Sequence, residues 1–207
     1  RGVGKSYLTA TFVLWKLWKN RSLKFLIVSA SKQRADNFSN FCFQLLDLVP
    51  QLRDLKPRGD MRASKVQWDV YGCTIAQSAS VTSKGITSQL AGDRADIIIA
   101  DDIEVPKNSM TADQREKLKE LIKEFNAILK ADEGQNQDAY TLFLGTPQCE
   151  ESLYNNLVGY TKRIWTARYP TEAKLKDYNG AICPYLENEM MEDKSLIGKP
   201  TDPKRFD

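Results

Sequence analysis

Three residues near the start of the chain, Gly4, Lys5 and Ser6, have the types and the order that phosphate binding requires. A glycine, a lysine and a hydroxyl residue end the loop that holds nucleotide phosphates, where the lysine reaches the terminal phosphates and the hydroxyl binds Mg²⁺. A helical sequence follows at once, and the free N–H groups at a helix N-terminus favour an anion. The same triplet also fits a plain loop glycine and a solvated lysine that open an amphipathic helix.

Two adjacent acids, Asp101 and Asp102, end the apolar run IIIADD, and Glu104 lies two residues further on. Such a run is typical of a parallel strand that is buried on both faces. In nucleoside triphosphatases a strand of this kind carries an aspartate that holds Mg²⁺, and a neighbouring acid polarises the attacking water. Adjacent carboxylates repel each other, so a nearby cation would compensate their charge. The alternative is that these acids only mark the solvent-facing end of a strand.

A third polar group, Thr146, Pro147 and Gln148, follows the apolar stretch TLFLG. Ligands of parallel α/β sheets bind at the carboxyl ends of the strands, so parallel neighbouring strands would bring this group to the lysine and the aspartates. Taken alone, the group also fits an ordinary strand–turn junction. Because the three groups come in the expected order and share one sheet edge, together they predict a nucleotide-binding domain.

Strands and helices alternate along the chain, which predicts an α/β fold with a mostly parallel sheet covered by helices on both faces. The apolar patterns predict strands in KFLIVSAS, KVQWDVYG, CTIAQSAS, ADIIIADD, AYTLFLGTPQ and KRIWTARYP. Helical spacing predicts helices after Ser6, over KQRADNFSNFCFQLLDLVP and over TADQREKLKELIKEFNAILK, the last with Thr111 or Asp113 as its cap. We expect the nucleotide-binding core to cover residues 1–170 and a linker or subdomain to cover residues 171–207.

Two arginines and one polar segment are further candidates for phosphate contacts. Arg1 lies within the loop itself, and Arg94 lies just ahead of the acidic strand, where it could reach phosphates bound by a neighbouring subunit. Both also fit surface arginines. The segment YGCTIAQSASVTSKGITSQLAGDR is rich in hydroxyl residues and contains Lys84, so it fits either a loop that tracks a nucleic-acid backbone or a solvated loop.

Composition excludes several kinds of chemistry. The 207 residues include no histidine, which excludes histidine-based acid–base catalysis and zinc sites, and the four separated cysteines fit free thiols in a reducing compartment. A net charge of +3 permits a polyanionic partner without requiring one. The longest apolar run, from Leu8 to Leu17, is too short to span a bilayer. The chain does not begin with methionine and opens within a phosphate motif, so we expect a piece of a longer protein.

The sequence resembles the ATPase domain of the large terminase subunit, the DNA-packaging motor of tailed bacteriophages, and most closely the type found in short-tailed phages. The resemblance is carried by RGVGKS, LIVSASKQRADNF, GITSQLAGDRADIIIADDIEVP and TLFLGTPQ, which run from the first residue to about Pro147. This family has an unorthodox phosphate loop with an arginine three residues before its last glycine, and Arg1 takes that position. The resemblance implies a P-loop nucleoside triphosphatase of the ASCE type whose first strand is missing from this chain.

The resemblance also implies roles for individual residues. ATP would be bound by the motif residues Gly2, Val3, Gly4, Lys5, Ser6 and Tyr7. Mg²⁺ would be held by Ser6 and Asp101, and hydrolysis would be sensed by the coupling residues Thr146, Pro147 and Gln148. Arg1 would act on the γ-phosphate, with Arg94 as the candidate supplied in trans.

One departure from the family concerns the catalytic acid. The family's acidic strand more often ends Asp-Glu, whereas this one ends Asp-Asp-Ile-Glu. Because aspartate is one methylene shorter, either Asp102 works through a repositioned water or Glu104 takes over the role. We favour Asp102.

The function implied by the resemblance is an ATP-hydrolysing motor that moves double-stranded DNA through the portal into a procapsid. The subunits would form a homo-oligomeric ring, by analogy a pentamer, with the small terminase subunit as a further partner. They would act in the host cytoplasm and at the portal vertex, with no membrane or secreted form. An endonuclease domain would follow the tail SLIGKPTDPKRFD in the full-length protein. Two other functions stay open: a helicase-like DNA-dependent ATPase, and a nucleotide-bound assembly module that does not hydrolyse ATP.

Overall fold

The computed structural model of the chain describes residues 4–130 and 139–204. By their internal contacts the residues divide into two units, 1–156 and 157–207. The functional boundary expected at residue 170 stays a prediction. Within the described ranges, no helix is long and apolar enough to cross a membrane.

A five-stranded sheet with the strand order β2-β3-β1-β4-β5 forms the centre of the first unit. Its strands are β1 (Phe25–Ser29), β2 (Gln67–Trp68), β3 (Val81–Gly85), β4 (Ile97–Asp101) and β5 (Tyr140–Leu144). Strands β3, β1, β4 and β5 run parallel, and β2 pairs with β3 in the antiparallel sense. The predicted mixed α/β architecture with a mostly parallel sheet is therefore confirmed.

Three long helices accompany the sheet, and all three were predicted. They are α1 (Lys5–Lys19), α2 (Lys32–Leu48) and α3 (Ala112–Ile128), and a short helix α4 (Leu153–Asn156) follows β5. Helix α3 begins with a capping box, in which the Thr111 hydroxyl accepts from the Gln114 N–H and the Gln114 side chain accepts from the Thr111 N–H. Of the two caps considered from the sequence, Thr111 is the one that the structure uses.

Helices cover both faces of the sheet because its strands are apolar on both sides. On one face, Phe25 and Ile27 of β1 and Ile99 of β4 share a buried core with α1 and α2. On the other face, the ring of Phe143 in β5 stacks on Phe125 of α3, with a centroid distance of 6.0 Å. Burial on both faces explains why β1 and β4 are continuous apolar runs rather than alternating ones.

The register of the parallel strands brings their carboxyl ends to one edge. Ser29 of β1 pairs with Asp101 of β4, and Asp101 pairs in turn with Leu144 of β5. The loops that leave these three strands therefore start side by side. This edge is where polar residues from distant parts of the chain can meet.

Two of the weaker strand predictions were wrong, and a third strand is shorter than expected. Residues 73–80, the CTIAQSAS stretch, form no strand, and the strand begins at Val81 instead. Arg62 accounts for the difference, because its guanidinium donates to the carbonyls of residues 76, 77 and 78 and pairs with the carboxylate of Asp69. Those carbonyls are thus satisfied by a side chain and not by a strand ladder. Of the KVQWDVYG stretch, only Gln67–Trp68 is a strand.

The second unit has a small core of its own. Tyr169, Ile182, Leu186 and Met190 are buried together, and the Tyr169 hydroxyl donates to the Glu189 carboxylate at 2.7 Å. Its helices are α5 (Glu172–Leu175) and α6 (Pro184–Glu192). The KRIWTARYP stretch makes only isolated bridges at Ile164 and Arg168, so the strand predicted there was wrong.

We predict that the contact between Ser39 and Trp68 stabilises the edge of the sheet against α2. Both side chains are buried, and the Trp68 Nε1–H donates to the Ser39 hydroxyl at 3.0 Å. Ser39→Ala should lower the free energy of unfolding by about 1–3 kcal/mol, because a buried N–H loses its acceptor. Urea denaturation followed by circular dichroism measures this change.

The control is the same substitution in a Trp68→Phe background, where no indole N–H is left to satisfy. There Ser39→Ala should cost clearly less than in the wild-type protein. Equal costs in the two backgrounds would show that the hydrogen bond does not account for the effect.

Candidate nucleotide-binding site

The N-terminus of α1 is open to an anion. Its first residue is Lys5, and Gly4 caps it in the left-handed conformation, with φ 75°, which suits glycine. In the part of the chain that the structure describes, no side chain caps this helix. The N–H groups of the first turn therefore remain available to a negatively charged ligand. Ser6 follows on this turn with its side chain exposed.

The Lys5 ammonium lies between the two aspartates at the end of β4. Its Nζ is 2.8 Å from Oδ1 of Asp101 and 2.8 Å from Oδ1 of Asp102. Burial lowers the pKa of Lys5, but the attraction of the two aspartates outweighs burial, so the net effect is a raised pKa. Lys5 therefore stays charged, and it is the cation that compensates the paired carboxylates. The structure thus brings together the first two groups that the sequence singled out.

Asp101 has an oxygen that suits a metal ion. Its Oδ1 is buried and, among the described residues, its only close cationic contact is the ion pair with Lys5, with no partner at hydrogen-bond geometry. Within those residues no group of three or more acidic, Cys or His side chains could hold a metal by itself. Mg²⁺ does not need such a group, because it is commonly held by one or two carboxylates together with phosphates and water. Asp101 therefore fits the expected ligand, and the role of the exposed Ser6 hydroxyl as the second ligand stays a prediction.

Asp102 has an uncommon backbone conformation. Its φ is 46°, in the left-handed region that few non-glycine residues enter and that aspartate tolerates better than most. The Asp102 N–H donates to the carbonyl of Leu144 at 2.8 Å. The carboxylate is thus presented to Lys5 from a strained backbone that is bonded to the end of β5. Strain of this kind is frequent at functional sites.

Glu104 is engaged elsewhere, which disfavours it as the acid that acts on water. It is 2% exposed, and its two oxygens accept the backbone N–H groups of Gln148 at 3.1 Å and of Leu153 at 2.6 Å. The carboxylate therefore joins the loop after β4 to the loop after β5. The sequence suggested Glu104 as an alternative to Asp102, but nothing in it indicated these two partners.

Sequence reasoning missed Tyr154 and Gly145. Tyr154 is buried on α4, and its hydroxyl lies 3.4 Å from the Leu144 carbonyl and 3.4 Å from the Glu104 backbone nitrogen. A Cβ at Gly145 would lie 2.1 Å from the end of the Tyr154 ring, so a side chain there would force the buried ring to move. Burial raises the pKa of the Tyr154 hydroxyl, which keeps it protonated. The one available signal was the glycine that ends TLFLG.

Among the described residues, the hydrogen bond from Gln148 to Glu104 joins the expected coupling residues to the site. Thr146 and Pro147 are exposed, whereas Gln148 is half-buried and donates its backbone N–H to Glu104. The Gln148 side chain donates to the Thr146 carbonyl at 2.8 Å, which closes the turn. A role for these residues in sensing hydrolysis stays a prediction.

The structure does not bring Arg94 to Lys5. Arg94 is exposed and precedes β4 by three residues, at the end of the strand opposite to Asp101, where its guanidinium donates to the carbonyls of Asp93 and Ala127. An action in trans stays a prediction. Tyr7 is exposed and meets the ring of Phe41 edge-on at 5.0 Å. The expected roles of Arg1, Gly2 and Val3 lie outside the described residues.

The hydroxyl-rich segment, residues 71–94, is not one continuous loop, although both interpretations of its sequence assumed a loop. Its middle is strand β3, and the Lys84 ammonium pairs with the Asp93 carboxylate at 2.5 Å and donates to the Gln89 carbonyl at 2.9 Å. Lys84 is therefore committed within the chain. These contacts leave little support for a nucleic-acid contact through this lysine.

Two comparisons with known proteins identify the family of the chain. Residues 1–167 match the family described as terminase large subunit, T4likevirus-type, N-terminal. The chain is also 47% identical over 212 aligned residues to the terminase large subunit of Enterobacteria phage T3, covering 100% of this chain and 36% of that protein. The chain therefore spans little more than a third of the length of this relative. On both comparisons, the chain belongs to the terminase large subunit family.

Proposed function

We propose that this chain is the ATP-hydrolysing motor domain of a viral DNA-packaging terminase, with a P-loop nucleotide site. One observation carries the proposal: the Lys5 ammonium at the open N-terminus of α1 lies 2.8 Å from each of the aspartates that end β4. A phosphate-binding lysine and two strand-end carboxylates are the groups that phosphoryl transfer requires. Membership of the terminase large subunit family supports the same function.

The residues of the site divide the chemistry among them. Lys5 and the N–H groups of the first turn of α1 would bind the β- and γ-phosphates, with Gly4 allowing close approach of the backbone. Ser6 and Asp101 would hold Mg²⁺, which neutralises charge on the phosphate oxygens when bound. Asp102 would orient the attacking water and accept its proton. Glu104 is not needed for this step, since both of its oxygens already accept backbone hydrogen bonds.

Binding of a triphosphate has a consequence for Lys5. Its ammonium is shared by Asp101 and Asp102, and a phosphate group at the helix N-terminus would compete for it. The two carboxylates would then need another cation, which is the position that Mg²⁺ takes beside a nucleotide. In the ion pairs seen here one positive charge faces two negative ones, so the cluster keeps a net negative charge that Mg²⁺ would offset.

The partners proposed for the whole protein follow from the family. They are double-stranded DNA, the portal of the procapsid, the small terminase subunit and further copies of this subunit in a ring. Arg94 is exposed and far along β4 from the site, so it is a candidate for contact with a neighbouring subunit's nucleotide. An endonuclease would belong to the part of the protein beyond this chain.

We predict that Lys5→Ala and Asp102→Asn both strongly reduce phosphate release from Mg-ATP, for different reasons. In the full-length large subunit that contains this chain, Lys5→Ala should lower kcat at least about a hundredfold, because charge stabilisation is lost. Asp102→Asn should lower kcat by roughly 10²–10⁴-fold while nucleotide affinity is retained, because only proton transfer is lost. Phosphate release with and without duplex DNA, and titration with a fluorescent ATP analogue, separate these effects.

The matched controls come from the ion pair between Lys117 and Asp113 on α3, which is exposed and 2.8 Å long. Lys117→Ala and Asp113→Asn should leave turnover and its stimulation by DNA as in the wild type. If ATP binds but no phosphate is released by the wild-type subunit, even with DNA and procapsids, the chain is an assembly module and not a motor. DNA-stimulated turnover that unwinds a forked duplex would favour the helicase-like alternative.

We also predict that Mg²⁺ without nucleotide stabilises Lys5→Ala more than it stabilises the wild type. Removal of Lys5 leaves two adjacent carboxylates, with side chains 15% and 31% exposed, lacking their cation. Lys5→Ala should lower the free energy of unfolding by about 1–2 kcal/mol. This is less than the loss of a fully buried pair would cost, because solvent screens the charges. Thermal unfolding with and without MgCl₂ measures it, with Lys117→Ala as the control. If Mg²⁺ stabilised Lys5→Ala and the wild type equally, that result would contradict a cation site at Asp101.

A further inference from the structure

A buried carboxylate joins the two loops that leave β4 and β5 at the edge of the sheet. We call residues 145–153 the coupling loop, because it includes the expected coupling residues. Glu104 contacts this loop at two points, accepting the N–H of Gln148 with Oε1 at 3.1 Å and the N–H of Leu153, the last residue of the loop, with Oε2 at 2.6 Å. Burying a carboxylate is costly unless it is fully hydrogen-bonded, so this arrangement demands that both partners stay in place.

Tyr154 adds a second connection at the same point. Its hydroxyl lies 3.4 Å from the carbonyl of Leu144, the last residue of β5, and 3.4 Å from the backbone nitrogen of Glu104. The end of its ring occupies the space that a side chain at position 145 would need. The coupling loop is thus bound by the carboxylate of Glu104, in the loop after β4, and it packs against the ring of Tyr154 on α4.

Asp102 is tied to the same group of atoms. Its N–H donates to the Leu144 carbonyl at 2.8 Å, and that carbonyl is also the one next to the Tyr154 hydroxyl. The Asp102 carboxylate accepts from Lys5 at 2.8 Å. A continuous set of hydrogen bonds therefore runs from Lys5 through Asp102 and Leu144 to Tyr154 and Glu104, and from Glu104 to the coupling loop.

We propose that Glu104, supported by Tyr154, is a positioning residue that couples the Lys5–Asp101–Asp102 cluster to the coupling loop. The inference rests on the proposed function, because a triphosphate is the ligand that would draw Lys5 away from Asp102. The Asp102 carboxylate would then lose the hydrogen bond that it accepts from Lys5. A shift of Asp102 would displace the Leu144 carbonyl, which accepts from the Asp102 N–H. It would also displace Glu104, which follows two residues later in the chain.

The substitution Glu104→Gln tests the proposal in the full-length large subunit. A glutamine presents one acceptor and one donor where Glu104 presents two acceptors, so either Gln148 or Leu153 must lose its partner. Exchange of amide hydrogens in peptides covering residues 145–154 should rise about tenfold or more without nucleotide. In the wild type, a non-hydrolysable ATP analogue with Mg²⁺ should change this exchange, and in Glu104→Gln that change should be lost.

Turnover separates positioning from direct catalysis. Glu104→Gln should retain affinity for the fluorescent ATP analogue, within about threefold, and lose most of the stimulation of kcat by duplex DNA. The matched control is Glu150→Gln, the same change on an exposed side chain of the same loop. It should leave amide exchange, affinity and DNA stimulation at wild-type values. Tyr154→Phe, which removes only the hydroxyl, is the milder variant if Glu104→Gln fails to fold, and it should weaken the nucleotide-dependent change in exchange.

Each alternative outcome overturns the proposal. Unchanged exchange in Glu104→Gln with turnover lost would make Glu104 a direct catalytic acid. Raised exchange with full DNA stimulation would make its role one of stability alone. Wild-type exchange that does not respond to the nucleotide would refute the coupling, whether or not phosphate is released. Failure of the proposed function is seen separately, as the absence of phosphate release from the wild-type subunit.

Discussion

The ammonium of Lys5 between Asp101 and Asp102 is the interaction on which the rest of the site depends. Two carboxylates on adjacent residues repel each other, and partial burial at the end of β4 strengthens that repulsion. A nearby cation therefore lowers the free-energy cost of holding both carboxylates charged. Lys5 supplies it from the first residue of α1, 2.8 Å from each carboxylate. A bound phosphate would also pair with this lysine. Binding of the ligand would therefore reduce the charge compensation that Lys5 gives to the two aspartates.

The parallel sheet makes this interaction possible across 97 positions of sequence. Burial on both faces fixes β1 and β4 side by side, and their register sets Asp101 in a row with Ser29 and Leu144. A slip by one residue would move every side chain of a strand into the opposite core, where its packing partners differ in size and shape, so close packing holds this register. The position of the carboxylates is thus decided by isoleucines and other apolar residues that never touch a ligand.

Much of this arrangement could be predicted from the sequence, because its signals are local. The apolar runs of β1, β4 and β5, the helical spacing of α1, α2 and α3, and the cap at Thr111 each follow from a few neighbouring residues. The predictions failed where a distant side chain decided the outcome. Arg62 satisfies the carbonyls of residues 76–78 and so prevents the strand predicted there. The partners of Glu104 were equally out of reach, since its bonds to residues 148 and 153 depend on how two loops pack.

The backbone conformation of Asp102 suits an aspartate at the position where the sequence resemblance predicts a glutamate more often. At φ 46° the residue lies in the left-handed region, where aspartate is among the side chains tolerated best and longer side chains are less common. The backbone turn, held by the bond from the Asp102 N–H to Leu144, directs a short carboxylate to Lys5 without the extra methylene of glutamate. Glu104 is then free to act at a distance from Lys5. Its longer side chain spans the gap to the loop after β5, where both of its oxygens find backbone donors. The two acids therefore have different contacts beyond the end of β4: Asp102 pairs with Lys5, and Glu104 binds the loop after β5.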